Sequence, residues 1–279
     1  MKAVHSLMFM GLAQALHQFS SNGVDYSIVM TQNGVEVPVT LGPALQMNST
    51  GPVATFASRH RRNNVQSTGN WCGMSNTEPP SGTWKSVWGG WVVPQVSLRS
   101  DQTNADEPSI AQWVGIDGDG CNSGLIQGGT VSQINSNGAQ ENYAWWEFIP
   151  DALQSVSMTI NTGDTIYGNV TMTSTTSGIV EVINANIGLA IVVTINSGSG
   201  TLCGASAEWV LEDLSCCGGL VPFAEFPSNS FFDPYSITTA GQQVSPVNAD
   251  EVYLYQGGQY LCEASYNSAT GDIDVVSTA

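Results

Sequence analysis

The sequence predicts an all-β protein, an antiparallel sandwich or barrel. Three observations carry this. Apolar and polar residues alternate with period two, turn residues recur about every 8–12 positions, and long helical periodicity is absent. From Asn63 onward Thr, Ser, Val, Ile, Gly and aromatic residues dominate, as suits a pleated, half-buried surface.

The elements follow in order. In Ser155–Ile160, Val156, Met158 and Ile160 face one way and Ser155, Ser157 and Thr159 the other. In Ile166–Met172, Ile166, Val170 and Met172 alternate with Tyr167, Asn169 and Thr171. The most apolar stretch, Ile179 to Ile195, is interrupted by Glu181, Asn184, Asn186 and Gly188. It is too short and too polar for a membrane span of ~18–20 residues, and it reads as two strands and a turn. Thr162-Gly163-Asp164, Ser177-Gly178, Ser197-Gly198, Gly257-Gly258 and Thr270-Gly271-Asp272 supply turn signals. No internal repeat stands out.

The 279 residues divide at Arg62. Residues 1–15 carry Lys2, an apolar run from Leu7 to Leu12 and Ala13-Gln14-Ala15, the pattern of a secretory signal. A secreted, extracellular protein is expected. Residues 16–62 lack Trp and Cys and end in Arg59-His60-Arg61-Arg62, an exposed, cleavable basic run. They read as a propeptide, and residues 63–279 as the mature domain. The basic end of the propeptide is expected to pair with the acidic body near neutral pH and to loosen as carboxylates protonate.

The charge balance is extreme. The chain has 6 bases and 23 acids, a net charge of −17. Residues 63–279 hold only Lys85 and Arg99 against 21 acids, with all six Cys, all eight Trp and no His. Nucleic-acid binding needs clustered Lys and Arg, so it is excluded as a function class, and an anionic membrane surface is disfavoured likewise. Without His there is no Ser-His-Asp triad, no Cys-His pair and no His-ligated metal in the mature part. Carboxylates are the acid–base groups left, and they titrate near ~4, so a catalyst running on them works in acid. Two cations against 21 acids also predict stability that is highest in acid and falls toward neutral pH. Six Cys in a secreted chain allow up to three disulfides in fifteen pairings, and adjacent Cys216-Cys217 are poor partners for each other. Asn169-Val170-Thr171 is a glycosylation sequon.

Four segments concentrate aromatic and polar groups: Asn70-Trp71-Cys72-Gly73; Ala111 to Gly118 with Cys121 and Leu125-Ile126-Gln127; Ala144-Trp145-Trp146-Glu147-Phe148; and Ala207 to Asp213. Alternation sets Trp145 with Glu147, Gln127 with Leu125 and Gly129, and Glu208 with Val210 and Glu212. Taken singly, Glu208 and Asp213 read more simply as solvated acids, and Trp145 and Trp146 as core.

In order and spacing these segments resemble the glutamic peptidases, or eqolisins. The likeness runs from Asn70-Trp71 through Trp91-Val92-Val93-Pro94, Trp113 to Gly118, Leu125-Ile126-Gln127, Ala144 to Glu147 and Ala207 to Asp213, ending at Val221-Pro222-Phe223-Ala224. Tyr143 stands where some members carry Asp. The resemblance implies a concanavalin A-like jelly-roll sandwich of two antiparallel sheets. It implies a catalytic pair, Gln127 and Glu212, and a substrate-binding cleft lined by Trp71, Trp113, Trp145, Glu147 and Asp117. It further implies a Cys121–Cys203 disulfide, no metal, no cofactor and a monomer acting on polypeptide substrates. The chemistry expected is a water nucleophile activated by Glu212, with the Gln127 amide stabilising the oxyanion and no covalent intermediate. Two alternatives use the same residue types. A jelly-roll glycosidase would pair Glu147 with Glu212. A non-catalytic carbohydrate-binding module would stack sugars on the Trp side chains.

Overall fold

The computed structural model describes residues 18–21, 23–45, 65–216 and 219–278. The expected signal and the Arg59–Arg62 run lie outside them, as do Cys217 and the side chain of Cys216. Strands make up almost all of the described regular structure, with two short 3-10 turns at Asn104–Asp106 and Pro246–Asn248. No helix among the described residues is long and apolar enough to cross a membrane.

Two curved sheets pack face to face. One runs, neighbour to neighbour, through Val24–Gln32, Leu189–Ser197, Ser177–Asn184, Thr165–Ser174, Trp84–Val92 and Asn229–Thr238. The other runs through Leu41–Leu45, Leu153–Val156, Gln140–Ile149, Leu125–Ile134, Ser109–Asp117, Ala207–Glu212, Trp71–Asn76 and Asp250–Gln256, then on to Gln259–Asn267 and Asp272–Ser277. Pairing is antiparallel except where Val65–Thr68 lies parallel to Asp250–Gln256. Asn229–Thr238 closes the sandwich. Its start pairs with Asp272–Ser277 in the second sheet, Asp233 takes a positive φ of 49° just before Pro234, and the rest pairs with Trp84–Val92 in the first.

The alternation read from the sequence sorts residues correctly. Ile166, Gly168 and Val170 turn inward, and the Ile179–Ile195 stretch is two strands and a turn. Val156, Met158 and Ile160 are all buried, although regular pairing stops at Val156. Ser177-Gly178 is not a turn. It opens a strand, and Gly178 is small because a Cβ there would come within 2.3 Å of Ile126 Cδ1.

The interior between the sheets is filled by Trp84, Trp91, Trp146, Trp209, Phe148 and Phe231 with aliphatic neighbours. Cys72–Cys262 ties two strands of the second sheet, and Cys121–Cys203 ties two loops at one end, the latter as the resemblance implied. Gln18–Ser21, Val24–Gln32, Val35–Val37 and Leu41–Leu45 are strands. Val24–Gln32 buries Val24, Tyr26, Ile28 and Met30 and extends the edge of one sheet, while Leu41–Leu45 extends the edge of the other.

Candidate active site

The outward face of the second sheet carries the candidate groups. Five adjacent strands supply it: Trp71–Asn76, Ala207–Glu212, Ser109–Asp117, Leu125–Ile134 and Gln140–Ile149. Directly opposed residues share a face. Trp71, Glu212 and Ala111 therefore stand in one row, Val210, Trp113, Gly129 and Trp145 in the next, and Glu208, Gly115, Gln127 and Glu147 in the third. Trp146 points the other way into the core, so the Trp145-Trp146 pair is split between cleft face and interior.

Large side chains fit side by side here because glycines separate them. A Cβ at Gly129 would lie 2.1 Å from the Gln112 carbonyl oxygen and 2.7 Å from Trp113 Cα. A Cβ at Gly115 would meet the Trp113 ring at 2.8 Å and Gln127 Cβ at 3.2 Å. Trp113 thus spans the face, with its ring corner near Gln127 and its Nε1 donating to Glu212 Oε2 at 2.9 Å. Trp71 meets it edge-on, with centroids 5.0 Å apart.

Glu212 is held on both oxygens. Asn70 Nδ2 donates to Oε1 at 3.0 Å, complementing the Trp113 indole on Oε2. Glu212 is only 5% exposed, and burial raises its pKa to about 7, against the opposing donation of Trp113 and Asn70. Gln127, 3% exposed, donates Nε2 to Glu147 Oε2 at 2.7 Å. The carboxamide nitrogen thus faces Glu147, with its second N–H left available. Burial pushes Glu147 well above the usual carboxylate range. The Gln127 donor opposes this, while the charge of Glu212 adds to it, placing the two carboxyls within electrostatic reach. Gln127 Oε1, Glu147 Oε1 and Trp145 Nε1 have no hydrogen-bond partner among the described residues. Trp71 Nε1 and both Glu208 oxygens, in the same rows, are likewise without one, so this face holds six buried polar atoms open to a polar guest.

The remaining expected site residue, Asp117, serves elsewhere. It accepts from the backbone N–H of Cys203 at 2.7 Å, Gly204 at 3.0 Å and Ala205 at 2.7 Å, so it anchors the loop before Ala207–Glu212. Ligand atoms of Asp117, Cys121 and Cys203 cluster within 4.8 Å, but both sulfurs are spent in the disulfide and the carboxylate on the backbone, so this is no metal set. Glu208 and Asp213 are not solvated acids. They are 0% and 1% exposed, and burial raises both, Asp213 to about 8. Sequence reasoning assigned no role to Asn70, although it sits in the quoted Asn70-Trp71 motif.

A buried carboxyl and an oriented carboxamide thus stand among indoles on one face of a β-sandwich that, among the described residues, contains no histidine. The model of the Peptidase A4 family matches residues 69–275, and the chain belongs to that family, the glutamic peptidases or eqolisins. It is 33% identical to aspergillopepsin-2 of Aspergillus niger over 198 residues, covering 65% of this chain and 70% of the relative. It is 31% identical to scytalidopepsin B of Scytalidium lignicola over 204 residues, covering 67% and 77%. Among solved structures, scytalido-glutamic peptidase with a transition state analog inhibitor superposes with a TM-score of 0.65 at 29% identity, covering 75% of this chain and 98% of that one. Aspergilloglutamic peptidase from Aspergillus niger gives 0.58 at 33% identity, covering 62% and 100%. The protein is therefore a protease acting on polypeptides. The glycosidase and sugar-binding alternatives fall with that membership.

Proposed function

We propose that the chain is a secreted, acid-acting endopeptidase in which Glu212 and Gln127 perform the chemistry on a water nucleophile. The observation that carries this is the paired anchoring of Glu212 by Asn70 and Trp113 and of Gln127 by Glu147, on one buried sheet face. Glu212, ionised, takes a proton from water as the water oxygen attacks the scissile carbonyl carbon. The free N–H of Gln127 donates to the oxygen that becomes negative. A carboxamide keeps its donor at every pH, which suits an acid enzyme. Protonated Glu212 then hands its proton to the leaving nitrogen as the C–N bond breaks. Trp71, Trp113 and Trp145 offer apolar surface to peptide side chains.

In the full chain both reacting groups are almost closed off from solvent, and the open cavity of about 940 Å³ lined by Arg99, Asp101, Phe223 and Gln256 lies elsewhere. Substrate and water must gain access to this face. Removal of the signal (1–15) and propeptide (16–62) is the step proposed here. Admitting water also relieves the burial that raises Glu212, so its ionised form becomes populated at lower pH.

The test is digestion of a denatured protein at pH 3–4 by the processed enzyme, with pepstatin present to exclude aspartic peptidases. Glu212→Gln should remove activity, and Gln127→Ala should lower kcat by ~10²–10³, with the fold intact. Near-normal turnover in either variant would refute the assignment.

A further inference from the structure

The mechanism needs Glu212 but does not explain what holds Asn70 against it. Asn70 is a loop residue just before Trp71–Asn76, and a loop alone is a poor support for a buried hydrogen bond. Its surroundings are tied at several points. The backbone N–H of Asn70 reaches Thr68 Oγ1 at 3.4 Å, and that of Trp71 reaches the same hydroxyl at 2.8 Å. The carbonyl of Asn70 accepts from the N–H of Asp213 at 2.8 Å.

A further tie comes from far along the chain. Gln256, at the end of Asp250–Gln256 beside the Gly257-Gly258 hairpin, donates Nε2 to the Gly69 carbonyl at 2.8 Å and to Asp213 Oδ2 at 2.5 Å. Gly69 immediately precedes Asn70, and Asp213 immediately follows Glu212. One carboxamide therefore bridges the two backbone segments whose side chains meet in the Asn70–Glu212 hydrogen bond. Asp213 is itself fully enclosed, and Glu212 and Arg99 are the charged groups that act on it. Nothing in the water-addition chemistry uses Gln256.

We propose that Gln256 is a positioning residue for the general base: by clamping Gly69 to Asp213 it holds the Asn70 donor on Glu212. The inference rests on the reading of Glu212 as the base. The donor favours the charged carboxylate, so its position sets the pH at which the base form appears. Removing a hydrogen bond to a charged group displaces a titration by about one pH unit. Loss of Gln256 loosens the donor and gives part of that displacement.

The experiment is the pH profile of kcat/KM on a fluorogenic peptide, for the processed wild-type enzyme, Asn70→Ala, Gln256→Leu and the double variant. Asn70→Ala should move the acid limb up by about one pH unit. Gln256→Leu should move it in the same direction by less. In the Asn70→Ala background Gln256→Leu should add no further movement, because the donor it positions is gone. The near-isosteric Gln256→Met gives the same reading should Leu impair folding, and thermal melts establish that each variant is folded. Folded, active Gln256 variants whose limb stays at the wild-type pH would overturn the proposal, as would full additivity with Asn70→Ala. Survival of the limb in Glu212→Gln would instead overturn the assignment of Glu212 itself, a different result from a different protein.

Discussion

Raising the pH from 4 to 7 should strip several kcal/mol from the folding free energy of this protein. The largest contributors with defined values are Glu212 and Asp213. Burial raises Glu212 from 4.5 to about 7 and Asp213 from 3.8 to about 8. In both, the folded chain holds the proton more tightly than the unfolded chain. Below the unfolded values both states are protonated and the groups have no net effect. Between the unfolded and folded values the unfolded chain alone releases the proton, so stability falls with each step upward. At about 1.4 kcal/mol per pH unit, Glu212 costs about 3 kcal/mol by pH 7 and Asp213 about 4 kcal/mol. Glu147 and Glu208, both enclosed and both raised, act in the same direction. The sum is comparable with the whole stability of an ordinary domain, ~5–15 kcal/mol. Urea denaturation followed by tryptophan fluorescence, at constant ionic strength from pH 3.5 to 7.5, measures it. The midpoint should fall steadily, and Asp213→Asn should flatten the slope because the neutral amide has nothing to ionise. A midpoint that is level or rising from pH 4 to 7, or an unchanged slope in Asp213→Asn, would refute the reasoning.

Two structural predictions accompany the catalytic ones. Gly129→Ala drives a methyl into the Gln112 carbonyl and the Trp113 backbone, so thermal melts should show a loss of at least ~2 kcal/mol and activity should fall with it. Asp117→Ala leaves the N–H groups of residues 203–205 without their acceptor, and the loop ahead of Ala207–Glu212 should gain amide exchange, with about 2–4 kcal/mol lost overall.

Much of this architecture could be read in one dimension because strand burial has period two. Alternation placed Trp145 with Glu147, and Glu208 with Glu212, on common faces before any pairing was known. The absence of His after His60 limited the acid–base groups to carboxylates, and the ordered motifs pointed to the family that residues 69–275 match. Glycine shows where such reading stops. Gly178 looks like a turn and is a packing residue, because the difference lies in how near Ile126 comes from another sheet. The acids show it again. Glu208 and Asp213 look solvated, since local composition carries no record of which neighbours will enclose them.

The local chemistry of this chain was written in its order of residues: strand periodicity, charge, the missing imidazoles and the segments bearing Gln127 and Glu212. Which groups would touch was settled only by folding, because contacts such as Gln256 on Gly69 and Asp213, or Cys72 on Cys262, join positions about two hundred residues or a few dozen apart by sheet register alone. Register is a collective property of all the strands between, and burial, with the acidities it shifts, follows from register.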